Sequence, residues 1–368
     1  MPENVAPERR TGIELLLPGP VPFAFPENDA DPSPTGRKYP IPDAELLLAA
    51  YRKMVLGRRF DEQANVLARQ GRLAVYPSSL GQEACQVAAA LALRDTDWLF
   101  PTYRDSVALV SRGIDPVGVL TLLRGDWHSG YDPVAHRTAP QCTPLATHGP
   151  HAVGLAHAER LKGTGTVALA LLGDGATSEG DFHEALNLAG VLRAPVVFLV
   201  QNNGYAISVP FSAQTAATSL AHRGIGHGVR AEQVDGNDAA AVLAVLTTAV
   251  EDARTGGGPW LVEALTYRLG PHTSADDPAR YRSAGETQVW RRRDPISRLE
   301  RRLRASGLLD DTTVAETAAH AEALADDLRT RLTAAPEVDP RTLFDHVFQH
   351  PTPQLTAQRT EVESVWRP

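Results

Sequence analysis

The spacing of apolar residues changes period along this chain. Asp43 is a good N-cap, Leu47, Tyr51, Met54 and Val55 recur at helical spacing, and Gly71 supplies a stop, which predicts an amphipathic helix. Further helices are expected over 82–93, 105–112 and 116–123, so the first third reads as helical and alanine-rich. At 166–172 the pattern becomes a short continuous apolar run, as in a strand buried on both faces. A helical segment over 180–192 separates it from PVVFLV at 195–200, which makes a βαβ unit with two parallel strands. The pattern repeats once, with a weak strand at 231–234, a helix over 239–254 and the strand WLVEALTY at 260–267. This predicts an α/β fold with a doubly wound, mostly parallel sheet and helices on both faces. Residues 268–283 are polar and contain proline, reading as a long loop. Helices over 295–306, 313–333 and 339–348 are expected to complete the chain.

Ten of the 28 prolines fall in the first 42 residues, where they fix φ and remove amide donors. Residues 1–42 therefore read as an extended arm, either disordered or laid across a partner subunit. The chain divides into this arm, an α/β domain with a helical front at 43–290, and a helical C-terminal region at 291–368.

Composition narrows the function classes. Thirty-six basic against 44 acidic side chains give a net charge of −8, which argues against a nucleic-acid or anionic-membrane partner. The arginines at 291–293, 298, 301, 302 and 304 are interleaved with acids and read as a solvated helix face. Two cysteines, Cys85 and Cys142, cannot staple 368 residues, so a reducing, cytoplasmic setting is expected. The N-terminus has no apolar signal-peptide core, and no apolar run approaches the roughly 18 residues of a membrane span.

Ligands of an open parallel sheet gather beyond the carboxyl ends of its strands. Gly173-Asp174-Gly175 follows the first strand and Asn202-Asn203-Gly204-Tyr205 the second. If those strands are neighbours, a carboxylate and a carboxamide converge as hard oxygen ligands, suited to a Mg²⁺ ion that completes its shell with phosphate oxygens and water. Glycines beside Asp174 let the backbone approach such a diphosphate closely, and the following helix aims its amide end at it. Gly-Asp-Gly and Asn-Asn-Gly are each ordinary turn chemistry; their combination at this spacing is specific.

The segment GDGATSEGDFHEALNLAGVLRAPVVFLVQNNGYAIS resembles the thiamine-diphosphate motif of 2-oxo acid dehydrogenases. From about Tyr51 to Pro353 the chain is similar to the α subunit of their decarboxylating component, with bacterial branched-chain members closest. The resemblance implies a thiamine-diphosphate-binding fold. It implies Mg²⁺ held by the side chains of Asp174 and Asn203 and the backbone carbonyl of Tyr205, with Gly173, Gly175 and Ala176 beside the diphosphate. Tyr103 and Arg104 match a pair that clamps the diphosphate; read alone, Arg104 is a surface charge at a helix start. Thr143 and Leu145 lie in Cys142-Thr143-Pro144-Leu145-Ala146-Thr147, which resembles the segment under the cofactor. There Leu145 would buttress the bent cofactor and backbone oxygens would hold a monovalent cation such as K⁺; read alone, this is a proline-kinked connector. His272 matches a loop histidine implicated in acylation of the lipoyl group, and its ordinary pKa suits proton transfer. On residues alone, a mobile surface histidine is an equal reading. Arg268 would support that loop.

The implied activity is oxidative decarboxylation of a 2-oxo acid, with the acyl group passed to a lipoyl-bearing acyltransferase. The cofactor supplies the electron sink, and the protein placement and electrostatics. No second α/β domain is present to supply the carboxylate that the aminopyrimidine needs, so a β subunit in an α₂β₂ heterotetramer is implied. Ser178-Glu179-Gly180-Asp181 and Gly204-Tyr205 favour a branched-chain substrate of the 3-methyl-2-oxobutanoate type, with pyruvate as the alternative. A non-catalytic module binding Mg²⁺ and diphosphate is an alternative of another class, and a single-chain transketolase-like enzyme a third, disfavoured by length. Three positions depart from the family pattern. Gln201 stands where mammalian branched-chain members carry an arginine, His148 replaces a glutamine near the cation segment, and Thr273 lies where mitochondrial relatives carry a phosphorylated serine.

Overall fold

The apolar runs form the middle of a five-stranded parallel sheet. The computed structural model describes residues 18–19, 21–26, 39–126, 128–334 and 339–366. Its strands are β1 (Trp98–Phe100), β2 (Ala168–Gly173), β3 (Val196–Asn202), β4 (Arg230–Asp235) and β5 (Trp260–Leu265), in the spatial order β1-β2-β3-β5-β4. Every neighbouring pair is parallel. Gly173 lies opposite Gln201, so β2 and β3 end level with one another and release Asp174 and Asn203 at the same edge.

Alternation along each strand feeds two cores. Leu169, Leu171, Val197 and Leu199 face the helices Glu83–Leu91 and Ala239–Arg254, while Ala168, Ala170, Leu172, Val196, Phe198 and Val200 face His148–Lys162 and Gly180–Leu192. The crossover from β2 to β3 runs in the opposite direction across the sheet from that between β4 and β5. Connections of one hand then lie on opposite faces, so the central strands are covered on both sides, which explains the near-continuous apolar runs of β2 and β3.

The helical front opens with Ala44–Arg69, whose Asp43 carboxylate accepts from the Leu46 amide at 2.8 Å. Its Phe60, Ala64 and Leu67 pack with Leu120 and Leu123 and with Leu328 and Leu332 of the helix Asp311–Thr333. The arginine-rich helix Pro295–Ala305 is charge-paired, with Arg298 on Asp235 and Arg304 on Glu300 and Asp311. Of the arm, most lies outside the described residues. Phe23 is buried; it donates its amide to Gln233 and accepts from the Asp235 amide, so this piece of arm covers the open edge of β4.

Several elements differ from the sequence expectation. The expected helix over 339–348 is only the 3₁₀ turn Pro340–Phe344, because Asp339 caps Arg341 and the apolar residues Leu343, Val347 and Phe348 are exposed with no core to meet. The helices His148–Lys162, Ala284–Arg291 and Pro353–Val365 and the three-residue strand β1 were not anticipated. Loop 268–283 begins with buried Arg268 and Leu269 and contains the turn Pro278–Arg280. Among the described residues no helix is long and apolar enough to cross a membrane.

Candidate active site

A cavity of about 390 Å³ opens beyond the carboxyl ends of β1, β2 and β3. Ten of the residues singled out from the sequence line it: Tyr103, Arg104, Leu145, Gly173, Asp174, Gly175, Ala176, Asn203, Tyr205 and His272. Thr143 does not; it is exposed. Arg268 is buried outside the lining, donating from Nη2 to the Ile207 carbonyl at 2.7 Å and the Tyr281 hydroxyl at 3.1 Å.

The floor is set by the two strand ends. Asp174, 1% exposed, accepts from Gln214 Nε2 at 2.7 Å. Burial raises its pKa, opposed by the hydrogen bond from Gln214 and by the Arg268 charge. Asn203 Oδ1 accepts the Tyr205 amide at 3.2 Å, closing a tight turn over Gly204, whose φ is +85°. A short hairpin then pairs Tyr205–Ala206 with Val209–Pro210. Between them Ile207 has a φ of +56°, a strained conformation for a β-branched residue, held by Arg268 on its carbonyl. Tyr205 donates its hydroxyl to Glu286 at 2.9 Å, and burial, then Glu286, pushes its pKa up to about 12. A Cβ on Gly175 would lie 2.8 Å from that of Ala206, so only glycine lets the hairpin sit this close.

The wall opposite carries positive charge. Arg104, 6% exposed, donates from Nη1 to Ser78 O at 2.9 Å and from Nη2 to His272 O at 2.9 Å and His272 Nδ1 at 3.0 Å. Its guanidinium lies 5.6 Å from the centroid of the Tyr103 ring. The His272 pKa is pushed down to about 4, first by burial and then by Arg104 and Arg268, with Asp276 pulling the other way.

A profile of the Dehydrogenase E1 component family matches residues 51–341. The chain belongs to that family. It is 47% identical over 320 residues to a protein from Mycobacterium tuberculosis named 3-methyl-2-oxobutanoate dehydrogenase subunit alpha, covering 87% of each chain. It is 36% identical over 328 residues to a Staphylococcus aureus protein named pyruvate dehydrogenase E1 component subunit alpha, covering 88% of each. A Staphylococcus epidermidis protein of that name matches at 36% over 329 residues, again 88% of each. Membership makes this dehydrogenase E1 chain an oxidoreductase subunit dependent on thiamine diphosphate, with a β subunit as partner.

The residues of this E1 chain fit such a ligand. Arg268 Nε and Nη1 are buried without a partner among the described residues, an unmet donor capacity that an anion nearby would relieve electrostatically. The turn Gly175–Ser178 opens with amides that have no acceptor in the preceding turn. One carboxylate, one carboxamide and a backbone carbonyl form an all-oxygen donor set suited to Mg²⁺ rather than zinc.

Sequence reasoning missed the residues that hold this lining in place. Asp61 is buried and accepts from Tyr76 Oη at 2.7 Å, Ser78 Oγ at 2.6 Å and the Ser79 amide at 2.7 Å, fixing the strand of chain that carries the Arg104 acceptor Ser78 O. An aspartate among the apolar positions Met54, Phe60, Ala64 and Leu67 of its helix was the available signal. Glu83, also buried, pairs with Arg58 and accepts from the Gly81 amide at 3.0 Å. His148 donates from Nε2 to Leu171 O at 2.6 Å, and burial lowers its pKa, so it enters the lining as a neutral ring.

Proposed function

We propose that this chain is the α subunit of a branched-chain 2-oxo acid dehydrogenase that binds Mg²⁺ and thiamine diphosphate and works as an α₂β₂ heterotetramer in the cytoplasm. The observation that carries the reading is the convergence of Asp174, Asn203 and Tyr205 on one side of a cavity with Arg104 and His272 on the other. The cytoplasmic setting is supported by two cysteines left unpaired.

Asp174, Asn203 and the Tyr205 carbonyl would hold the metal, and Gly173, Gly175, Ala176, Tyr103 and Arg104 the diphosphate, with Arg268 adding charge from behind. Thr143 and Leu145 belong to the segment beneath the cofactor. Its backbone oxygens are the candidate ligands of a monovalent cation such as K⁺, and Ala146 there adopts a left-handed φ of +62° that turns the chain sharply. The bound cofactor supplies an electron sink for loss of carbon dioxide from a 2-oxo acid. His272 holds its proton on Nε2, because Arg104 occupies Nδ1 as a donor, and so presents an N–H from the cavity wall. A lipoyl-bearing acyltransferase would receive the acyl group.

A branched-chain substrate is supported by the higher identity to the 3-methyl-2-oxobutanoate relative and by an apolar mouth of Leu145, Ile207 and Val209. The test is kcat/KM for 3-methyl-2-oxobutanoate against pyruvate after reconstitution with the β subunit. A preference for pyruvate refutes the substrate assignment; no decarboxylation of either refutes the enzymatic reading.

A further inference from the structure

Four buried side chains run in a line along the cavity wall, three of them, Gln201, Gln82 and Asn203, in its lining and Asp105 behind it. Asp105 accepts from Gln201 Nε2 at 2.7 Å, Gln201 Oε1 accepts from Gln82 Nε2 at 3.0 Å, and Gln82 Oε1 accepts from Asn203 Nδ2 at 3.2 Å. None is more than 6% exposed. A carboxamide can be turned end for end, so the direction of such a line must be fixed by groups that cannot turn. Both ends have one. The Arg104 amide can only donate and does so to Thr102 Oγ1 at 3.2 Å, which leaves the Thr102 hydroxyl hydrogen for Asp105 at 2.6 Å; the Thr102 amide donates to the same carboxylate at 2.7 Å. Surrounded by donors, Asp105 serves as an acceptor and demands the nitrogen end of Gln201. At the other end the Tyr205 amide, again only a donor, demands the oxygen of Asn203. The two anchors agree on one direction through all three amides.

We infer that Asp105, acting through Gln201 and Gln82, is a positioning residue that fixes the Asn203 carboxamide with its nitrogen toward the protein and its oxygen left for a cation. The inference rests on the metal-diphosphate reading above. It also accounts for glutamine at position 201, since a residue there must donate to Asp105 and accept from Gln82 at once, which glutamine does and arginine, having no acceptor, cannot.

Replacing Asp105 with asparagine keeps the shape and reverses the line. The new carboxamide keeps its oxygen on the two Thr102 donors and offers nitrogen to Gln201, which must turn; Gln82 turns in response and sets its nitrogen against that of Asn203. Asn203 is then driven to present nitrogen to the cation or to lose its partner. The test measures Mn²⁺ affinity, in the presence of thiamine diphosphate, by the electron paramagnetic resonance of free Mn²⁺, using the full chain co-expressed with its β subunit. Asp105→Asn is expected to weaken Mn²⁺ binding at least about tenfold, as loss of an outer ligand partner does. Gln201→Met leaves every charge in place but cuts the line, and is expected to weaken binding by a smaller factor. In the Gln201→Met background, Asp105→Asn is expected to add nothing, because there is no line left to reverse. Equal losses in both backgrounds would mean that only the Asp105 charge matters and would overturn the inference. So would unchanged affinity in Gln201→Met, a result that stands even if Asp105→Asn does not fold. Wild-type protein that shows no Mn²⁺-dependent binding of thiamine diphosphate overturns the metal-diphosphate reading itself.

Discussion

Arg104 donates from Nη2 to Nδ1 of His272 at 3.0 Å, and that one bond decides the state of the histidine. A guanidinium has no acceptor, so Nδ1 carries no proton and Nε2 does. Burial and the charges of Arg104 and Arg268 hold the pKa near 4, below the ordinary 6.5. The folded chain therefore binds fewer protons here than the unfolded chain between those values. The histidine's contribution to stability is full above pH 6.5 and declines as pH falls toward 4. An anion engaging Arg104 offsets the guanidinium charge, so the His272 pKa is expected to rise when inorganic diphosphate or thiamine diphosphate binds. Nitrogen-15 NMR titration of labelled histidines reads this directly, and a pKa that does not move on binding removes the coupling.

The metal assignment predicts a sharp separation between folding and binding. Asp174→Asn keeps the size of the side chain and its acceptor for Gln214 while removing the carboxylate. Its circular dichroism is expected to match wild type, whereas chelation with EDTA should release thiamine diphosphate from wild type and have nothing further to release from the variant. Tight, EDTA-resistant binding in either protein would contradict the assignment.

Asp61 acts at a distance from the cavity. Asp61→Ala leaves the Tyr76 and Ser78 hydroxyls and the Ser79 amide without their buried acceptor, and each orphaned group costs on the order of 1 kcal/mol or more. Urea unfolding is expected to show a loss of at least about 2 kcal/mol. Diphosphate affinity should fall as well, because Ser78 O and Ser79 Oγ hold the two ends of Arg104. A destabilised variant that binds diphosphate as wild type does would separate Asp61 from the clamp.

Particular residues explain which of these features were legible in the sequence. β2 and β3 were evident because almost every position in them is apolar, and Asp174 and Asn203 were evident because they stand where those runs stop. The helix His148–Lys162 was not, since His148, Gly149 and Pro150 obscure its start and it buries only small surfaces at Ala152, Val153 and Ala156. The helix expected over 339–348 failed for the converse reason, apolar residues in sequence with no core to meet; Val347 and Phe348 are exposed. Gln82 and Gln214 carry no pattern at all. An amide acquires its role only from the partners the fold brings to it, from Asn203 in one case and Asp174 in the other.

Gly175→Ala tests how closely the hairpin must approach. The added methyl would stand 2.8 Å from Ala206 Cβ and 3.4 Å from Ala206 Cα, and a backbone shift is the only relief because no rotamer moves either atom. The shift moves the hairpin that carries the Tyr205 carbonyl. The variant is expected to fold, with unchanged helix content by circular dichroism, and to need several-fold more Mg²⁺ for half-maximal thiamine diphosphate binding. An unaltered Mg²⁺ requirement would place the Tyr205 carbonyl outside the metal site.

The cavity mouth bears on the missing half of the chemistry. Leu145, Ile207 and Val209 are 42%, 56% and 43% exposed around a polar floor, an apolar rim that water covers at a cost. Among the described residues the lining contributes two carboxylates, Asp174, which accepts from Gln214 and is the proposed cation ligand, and Glu179, which is exposed. In the proposed heterotetramer the carboxylate that engages the far end of the cofactor is assigned to the β subunit, seated on this rim. Purified alone, the chain is expected to bind thiamine diphosphate weakly and to turn over nothing. Adding a β subunit should restore decarboxylation, tighten binding of the cofactor, and protect the 142–147 and 205–210 segments from amide hydrogen exchange. Robust decarboxylation by the isolated chain would mean that its own residues complete the site. Protection confined to some other face would move the β subunit away from the rim.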